Sequence, residues 1–519
     1  MPNFLPELCA FISALFFISS SFNEKLKTIK VINYFFVLSL IPIFQYLFDQ
    51  IIYFQNFLFT FIYIFTFSYV VLNSSNQPCL FSKFIYLLII SSIFNSIVSI
   101  FQILDFEENF YFILELNGSR VYGNLGQPNN LSTLIILAFI GSIYLYQTDK
   151  LNKKSISFIT LITILMISLT QSRTGFLNLI LFFILLLINH NKLNIKIKKL
   201  TIYVNIISFC SFFKFTNDIF YFLTNILNIN TIKNIRNIET NIINDGRIDI
   251  WMRSLELISE NPIFGIGFNQ NSISNLNSLN IEGLTGWFSS SHNIIIDIIL
   301  WCGLIIGSLI TYLFIHILLK YKNTNNLEAI FSYFMILCII FHSLLELPLH
   351  YAYFLFTLAF LFGILLSPET KKSKKNINTN TIKLSLIFGF ILIPTINIEY
   401  LNSIDDQIKA NYLELERTLN REKSYIPTTT YIPTKTPLTL DLIAEQNNWI
   451  SLDPRTTINK EKIYKYKALV YNQPTPSNLF KLAQVYHYNN YINDRDRILS
   501  IINIIYKKNY TQNELGIKN

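Results

Sequence analysis

Charged side chains are scarce in this sequence, and their scarcity excludes one broad class of protein. Asp, Glu, Lys and Arg account for 14% of the 519 residues, whereas 51% of the residues are hydrophobic. The hydrophobic residues also occur in long blocks. The chain is therefore too apolar for an ordinary soluble enzyme.

Cysteine is scarce as well. None of the five cysteines belongs to a CxxC pair, and most of them lie inside apolar blocks. This pattern excludes a disulfide framework and a cysteine metal site, so we interpret the cysteines as small packing residues. They are Cys9, Cys79, Cys210, Cys302 and Cys338.

The apolar blocks indicate membrane-spanning helices. A span needs about 20 mostly apolar residues, and a shorter block can tilt less or extend into its flanks. We therefore predict an all-α fold, a polytopic transmembrane helical bundle of about 12 spans. The blocks lie near 4–20, 29–48, 50–72, 80–104, 131–147, 156–170, 174–189, 201–215, 293–319, 329–345, 350–367 and 382–401.

The segments between the blocks alternate in charge. Short basic loops usually face the cytoplasm, whereas 105–115 is acidic and 216–291 carries more Asp and Glu than Lys and Arg. We therefore expect the loop 216–291, the tail 402–519 and the N-terminus to lie outside the cytoplasm. The basic loops are 22–30, 149–154, 190–199, 320–322 and 371–375.

This topology predicts two domains. Residues 1–401 form a transmembrane domain that includes the large loop 216–291, and residues 402–519 form a small helical domain on the outer side. The net charge of +9 is explained largely by the basic loops, so a nucleic-acid partner is not expected.

Arginines on the outer side are the strongest sign of function, because the orientation rule disfavours positive charge there. Arg120, Arg173, Arg247 and Arg253 all fall on that side. Arg173 lies in TQSRTGF between two spans with almost no loop, so its cation stays close to the membrane and needs a partner. An anionic ligand such as a phosphate suits a guanidinium. The alternatives are an interfacial anchor or a pair with Glu346.

His292 is the candidate for proton transfer. It follows a serine-rich loop and precedes a long apolar run in SSSHNIIIDIILWCG. Histidine is the side chain that ordinarily changes charge near neutral pH, which suits a general base. By position alone, a boundary residue at a helix entry explains His292 equally well.

Two polar clusters accompany this histidine on the outer side. In residues 341–354, Glu346 precedes His350, Tyr351 and Tyr353, and the alternative interpretation is a tight turn with aromatic anchors. In YGNLGQPNN (122–130), the amides can bind sugar hydroxyls or phosphates, or can simply cap a helix. These amides are Gln127, Asn129 and Asn130.

A metal site is not expected. Asp105, Glu107 and Glu108 could hold a divalent cation only if their oxygens converge, and scattered loop carboxylates are usually solvated. We therefore predict neither a metal nor another cofactor.

Five motifs together resemble one known family. RVYGNLGQPNN, TQSRTG, DGRIDIWMRSLELISENPIFGIGFNQ, SHNIIIDIILWCG and FHSLLELPLHYAYFLFTLAFLFG occur in the order seen in the O-antigen ligase/polymerase superfamily. Within it the chain most resembles the bacterial O-oligosaccharyltransferases of the PglL type, which glycosylate pilins and other exported proteins. The resemblance covers about 120–367 and implies a GT-C-like membrane fold. It also implies a location in the bacterial inner membrane, with an active site facing the periplasm.

The resemblance implies roles for the charged residues. The His of the family's His-Asn motif matches His292, whose implied role is to activate the acceptor hydroxyl. The arginines of two family motifs match Arg173 and Arg247, which are implied in holding the lipid pyrophosphate together with Arg120.

Positioning roles are implied for the polar clusters. Gln127 matches the family's Gln-Pro-Asn motif, and Tyr351 or Tyr353 matches a tyrosine of its Glu-x-Pro-Leu motif. With Asn129 and Glu346, these residues are expected to position sugar or acceptor.

Two departures from the family pattern matter. The family commonly has G-x-x-G nine residues after His-Asn; here Gly303 fits the first glycine, but Ile306 stands at the position of the second, and the next glycine is Gly307. We expect this difference to change helix packing more than chemistry. MPNFLPEL resembles a stretch that follows a first transmembrane helix, so we expect such a helix to be missing upstream.

The resulting hypothesis is a metal-independent, inverting glycosyltransferase. It moves an oligosaccharide from a polyprenyl (undecaprenyl) pyrophosphate carrier to Ser or Thr of an exported protein such as pilin. One alternative is an O-antigen ligase or polymerase acting on a lipid-linked glycan. A more distant one is a transporter or flippase, although no internal repeat of the transporter kind is visible.

Overall fold

The computed structural model describes residues 4–21, 24–104, 106, 110, 112–116, 118, 120–216, 218, 246–278, 286–419, 437–510 and 512–515. Across these residues the regular structure is helical, apart from an isolated antiparallel bridge between Lys27 and Asn376. The predicted all-α fold is therefore confirmed.

The helices fall into two compact units. The first comprises Met1–Ile32, Phe67–Asp245 and Phe314–Thr379, and the second comprises Asn33–Thr66, Gly246–Leu313 and Asn380–Asn519. The helices are α1 (Phe4–Ser19), α2 (Lys30–Leu38), α3 (Ile41–Leu47), α4 (Phe54–Asn76), α5 (Phe81–Ile103), α6 (Pro128–Gln147), α7 (Lys153–Thr170), α8 (Arg173–Asn189), α9 (Lys199–Lys214), α10 (Arg247–Glu260), α11 (Asn271–Asn277), α12 (Ile294–Tyr321), α13 (Leu327–Ser343), α14 (Ala352–Lys372), α15 (Thr379–Leu419), α16 (Asp441–Ser451), α17 (Lys460–Asn472), α18 (Pro476–Tyr488), α19 (Ile492–Tyr506) and α20 (Gln512–Leu515).

Membrane-spanning character is present in many of these helices. Among the described residues, eight helical segments are long and apolar enough to cross a bilayer, and α1, α8 and α13 are shorter apolar helices. Every apolar block of the sequence coincides with a helix. The polytopic membrane fold is thus confirmed, whereas the number of twelve spans stays a prediction.

Helix α6 is the centre of the first unit. Nearly all of its residues are buried, and it packs against α5, α7, α8 and α13. A helix that is buried on every side has no lipid-facing stripe, so its polar residues face other helices. Asn129 and Asn130 therefore lie buried at its first turn. Close packing is possible at Gly141, where a Cβ would approach Ile85 within 2.6 Å.

Helix α12 is interrupted in the second unit. Gly303 has φ +77° and ψ 170°, far from helical values. The segment NPIFGIG lies against the break: Ile266 donates to the Leu300 carbonyl (2.9 Å) and Leu304 donates to the Pro262 carbonyl (2.7 Å). These bonds satisfy backbone groups that the interrupted helix leaves open.

The same contact explains the glycines of NPIFGIG. A Cβ at Gly265 would lie 2.5 Å from the backbone nitrogen of Gly303, and a Cβ at Gly303 would lie 2.1 Å from the carbonyl oxygen of Ile263. Real Cβ atoms do not approach backbone so closely. The PxxGxG pattern therefore has a packing role against the non-helical residue Gly303.

The tail forms a helical core in the second unit. Large side chains of α16, α17 and α18 are fully buried together, including Trp449, Tyr466, Tyr471 and Leu482. Helix α15 contains the predicted span 382–401 and continues as one helix into the tail, ending at Leu419.

The break in α12 makes a prediction about stability. Gly303→Ala should lower the Tm of the purified protein in detergent, because overpacking against backbone costs about 1–3 kcal/mol. Gly286→Ala is the matched control, since a Cβ there meets nothing within 4 Å. An unchanged Tm for Gly303→Ala, measured by differential scanning fluorimetry, would contradict the packing described above.

Candidate functional site

His292 has an unusual backbone conformation. Its φ is +55°, in the left-handed region that few side chains other than Gly and Asn adopt. The next residue, Asn293, caps α12: its Oδ1 accepts from the Ile295 N–H (3.0 Å), and its carbonyl accepts from the Asp297 N–H (2.9 Å). The His-Asn pair therefore joins a sharp backbone turn to a helix cap, and the imidazole is half-buried at that turn.

A buried carboxylate holds this turn in place. Asp297 is 0% exposed, and its two oxygens accept from the Ser290 hydroxyl, the Ser291 N–H (2.9 Å) and the Asn271 amide (2.9 Å). A buried charge is costly unless several donors compensate it. Because two of the donors immediately precede His292, Asp297 fixes the backbone that carries the imidazole.

A second layer of hydrogen bonds supports Asn271. The Trp301 indole donates to its Oδ1, and the Trp301 carbonyl accepts from the Gln45 amide (2.9 Å). Gln45 Oε1 in turn accepts from the Phe268 N–H (3.1 Å). The chain from Phe268 to Asp297 ties the break in α12 to the turn at His292. Sequence reasoning missed Asp297, although a carboxylate inside an apolar block is itself a signal.

Helix α10 connects Arg247 to the same turn. The Trp251 indole donates to the carbonyl of Ser291, the residue before His292 (2.9 Å). Arg247 lies four residues before Trp251, so the two residues share a face of α10. The Trp-to-Ser291 bond thus brings the Arg247 face of α10 to the segment that carries His292.

Arg253 has a structural role. Its Nε donates to Asn275 Oδ1 (2.8 Å), and its Nη1 forms an ion pair with Glu256 (2.6 Å). The side chain is 5% exposed. Arg253 therefore joins α10 to α11.

In the first unit, Arg173 is the first residue of α8. Ser172 caps this helix by accepting from the Gly175 N–H (2.8 Å) and donates to Asn129 Oδ1 (2.7 Å). Arg247 occupies the equivalent position, the first residue of α10. A helix N-terminus attracts anions through its free N–H groups and its dipole. At Arg173 and Arg247, therefore, the guanidinium and the helix N-terminus both favour an anionic ligand.

Glu346 brings the predicted positioning residues together. Its carboxylate accepts from the Asn129 amide (3.0 Å) and lies at the hydrogen-bonding limit from the Gln127 amide (3.4 Å). The side chain is 7% exposed. The three residues therefore form one polar cluster at the start of α6, in which Asn129 and Glu346 are buried and Gln127 is half-buried.

The tyrosines form a neighbouring group. The rings of Tyr351 and Tyr353 are stacked with centroids 5.3 Å apart, and the Asn130 amide donates to the Tyr353 hydroxyl (3.3 Å). Glu7 accepts from the Ala352 N–H (3.0 Å) and so anchors the start of α14.

Sequence reasoning missed Glu7 and His342. Glu7 is a lone carboxylate in the first apolar block, a signal of the same kind as Asp297. His342 is fully buried, with its Nδ1 2.9 Å from the Thr133 hydroxyl. His342 belongs to α13, so its contact with a polar residue of α6 could not be predicted from the sequence of α13 alone.

The loop before α6 is held by amides of α5. Gln102 donates to the Leu114 and Gly123 carbonyls (2.8 and 3.0 Å), and Asn95 Oδ1 accepts from the Asn124 N–H (2.9 Å). Arg120 is half-buried in this loop. The alternative metal ligands Asp105, Glu107 and Glu108 lie outside the described residues.

The structure thus brings the predicted residues together in two sets. Gln127, Asn129 and Glu346 form one cluster in the first unit. The first unit also contains Arg120, Arg173, Tyr351 and Tyr353. His292 and Arg247 belong to the second unit, where Trp251 links their segments. Their chemical roles stay predictions.

The network around Asp297 makes a prediction. Asp297→Ala should loosen the segment 289–293, because loss of a buried acceptor leaves its donors unsatisfied at about 1–3 kcal/mol each. Hydrogen–deuterium exchange by mass spectrometry should show faster exchange in peptides that contain Ser291. Asp405→Ala, which removes an exposed carboxylate, is the control. Equal protection of the segment in both variants would refute the role of Asp297.

Comparison with known proteins agrees with these motifs. A family model described as O-antigen ligase matches residues 158–312. A second one, described as the C-terminal part of a virulence factor membrane-bound polymerase, matches residues 330–513. The two matches together include Arg173, Arg247, His292 and the segment from Glu346 to Tyr353.

Curated relatives extend the similarity to nearly the whole chain. A general O-oligosaccharyltransferase of Acinetobacter baylyi is 26% identical over 99% of this chain and 90% of its own length. A ComP-specific O-oligosaccharyltransferase of the same organism is 26% identical over 92% of this chain and 86% of its own length. The two family models match in order along the chain, and together with these relatives they support an O-oligosaccharyltransferase of the O-antigen ligase superfamily.

Proposed function

We propose that this enzyme transfers an oligosaccharide from a polyprenyl pyrophosphate carrier, such as undecaprenyl pyrophosphate, to Ser or Thr hydroxyls of exported proteins such as pilin. Transfer of glycan to protein follows from the O-oligosaccharyltransferase relatives. The carrier, the hydroxyl acceptor and the pilin substrate are the new parts of the proposal. The protein would act in the bacterial inner membrane with its site towards the periplasm.

The positions of Arg173 and Arg247 carry the proposal. Each is the first residue of a helix, of α8 and α10 respectively. A cation at a helix N-terminus is repelled by the positive end of the helix dipole. A bound anion removes this repulsion because it attracts both the guanidinium and the helix N-terminus. A pyrophosphate offers several oxygens to guanidinium and backbone N–H donors.

The chemical step assigned to His292 is general-base catalysis. Its imidazole takes the proton of the acceptor hydroxyl, and the oxygen attacks the anomeric carbon of the first sugar. The new C–O bond forms as the bond from that carbon to the pyrophosphate breaks. The configuration at the anomeric carbon is inverted, and the polyprenyl pyrophosphate departs with the electron pair of the broken bond.

Arginines stabilise the leaving group in this proposal. Negative charge grows on the pyrophosphate as its bond to the sugar breaks, and preorganised cations stabilise such charge strongly in a dry site. Arg247 and Arg173, with Arg120, are assigned to this task. Because the arginines supply the charge, the reaction needs no metal ion.

Gln127, Asn129, Glu346 and the tyrosine pair are assigned to positioning. Glu346 accepts from both amides, which orients the two side chains without fixing a ligand by itself. The stacked Tyr351 and Tyr353 offer an aromatic face and hydroxyl groups. Such a surface suits a sugar or an extended acceptor peptide.

An O-antigen ligase or polymerase is the second candidate. The family models described as ligase and polymerase favour it. The two relatives named O-oligosaccharyltransferases, which align with almost the whole chain including its tail, favour the protein acceptor. Mass spectrometry of acceptor proteins from cells with and without this enzyme distinguishes them, since a ligase adds no glycan to protein.

The central prediction concerns His292. His292→Ala should lower glycan transfer about 10²- to 10⁴-fold, the usual contribution of one general base, while the protein still inserts into the membrane. His316→Ala is the matched control, because His316 is an exposed histidine near the other end of α12. Transfer is measured with purified enzyme, lipid-linked glycan and acceptor protein. Full activity of His292→Ala would overturn the mechanism.

Metal removal gives an independent prediction. Activity of the purified enzyme should be unchanged after treatment with EDTA, because the arginines and the helix N-termini balance the charge of the pyrophosphate. A loss of activity that added Mg²⁺ or Mn²⁺ restores would overturn the metal-independent mechanism. It would also revive the interpretation of Asp105, Glu107 and Glu108 as metal ligands.

A further inference from the structure

A polar pocket lies in the second unit, beside the break in α12. Its volume is about 570 Å³, within the range of small-molecule sites. Its walls come from five parts of the chain: the segment before α4, the end of α10 at Glu260, the NPIFGIG segment, helix α11 with its flanking residues, and Tyr464 of the tail helix α17. Several lining residues belong to the motif DGRIDIWMRSLELISENPIFGIGFNQ, but the proposed mechanism assigns no role to the pocket.

One lining residue indicates a ligand. Gln270 is 3% exposed, and within the part of the chain that the structure describes its Oε1 accepts no hydrogen bond. Its Nε2 donates to the Phe268 carbonyl (3.3 Å). A buried acceptor without a donor is costly. A hydroxyl group bound in the pocket would supply the missing donor.

The chemistry of the lining selects the class of ligand. Two carboxylates, of Asp49 and Glu260, accompany side-chain amides and serine hydroxyls, and among the described residues no Lys or Arg lines the pocket. A phosphate would therefore meet only negative charge. Many acceptors and donors around a partly aromatic rim suit a neutral polyhydroxyl ligand. The exposed rings are those of Tyr464 (57%) and Phe264 (70%).

The position of the pocket relates it to His292 within the second unit. Gly265 and Ile266 line the pocket and contact α12 at Leu300–Gly303. Helix α12 begins at Ile294, two residues after His292, and Trp301 lies seven residues further along it, which is roughly 10 Å at the rise of an α-helix. This distance exceeds one sugar ring, so a ligand that joins the two places is an oligosaccharide.

We propose that this pocket binds sugars of the donor glycan that lie beyond the sugar attached to the pyrophosphate. This subsite rests on the proposed function and deepens it, since it assigns glycan recognition to a surface that the tail completes through Tyr464. The enzyme would then prefer donors whose glycan is long enough to reach the pocket.

Donor length tests the subsite. The full-length enzyme is given undecaprenyl pyrophosphate bearing either one N-acetylhexosamine or a pentasaccharide, with the same acceptor protein. Tyr464→Ala and Gln270→Ala should raise the KM for the pentasaccharide donor relative to the monosaccharide donor roughly three- to tenfold, as expected for one or two lost contacts. Tyr464→Phe, which keeps the ring, should retain most of the preference. Tyr412→Ala, an exposed tyrosine outside the pocket, is the control.

Other outcomes overturn the subsite. An equal rise in KM for both donors, or a rise in KM for the acceptor protein alone, would assign the pocket to the acceptor polypeptide. Saturation-transfer NMR measures binding of the free pentasaccharide to the detergent-solubilised enzyme. This readout does not depend on glycan transfer to the acceptor. Binding that wild type shows and Tyr464→Ala loses supports the subsite even if no transfer occurs, whereas identical binding by both refutes it. Absence of transfer by wild type with either donor would count against the proposed function instead.

Discussion

The buried carboxylate of Asp297 is the constraint on which the second unit's candidate chemistry depends. A charge with no exposure is stable only when donors surround it, and its donors are the serines before His292 and the amide of Asn271. These bonds hold the residues just before His292, which has a left-handed backbone conformation, and Asn293 caps α12. The segment that carries this candidate residue is thus fixed by a carboxylate in the first turn of the helix that follows it.

The break in α12 extends this constraint. Because Gly303 leaves the helix, the carbonyls of Leu300 and Trp301 are open to the N–H groups of the NPIFGIG segment. Trp301 also donates to Asn271, which donates to Asp297. A motif whose glycines suggest a flexible loop is thus a rigid packing element, and it forms one wall of the polar pocket.

Much of the fold could be predicted from the sequence, because apolar blocks and basic loops reflect the demands of a bilayer. Gln127, Asn129 and Glu346 were predicted as site residues. Their contact with one another depends on tertiary packing, which the sequence does not show. The placement of Arg173 and Arg247 at helix starts was not visible, since their helix caps, Ser172 and Gly246, are recognised only once the helix boundaries are known. Asp297 and Glu7 were missed because apolar blocks were interpreted as lipid-facing spans.

A structure of the enzyme with a bound polyprenyl pyrophosphate donor tests the central claim most directly. The account predicts pyrophosphate oxygens within hydrogen-bonding distance of the Arg247 guanidinium, and the anomeric carbon close enough to His292 for one acceptor hydroxyl to fit between them. A pyrophosphate bound away from Arg247, or an imidazole turned away from the anomeric carbon, would contradict it.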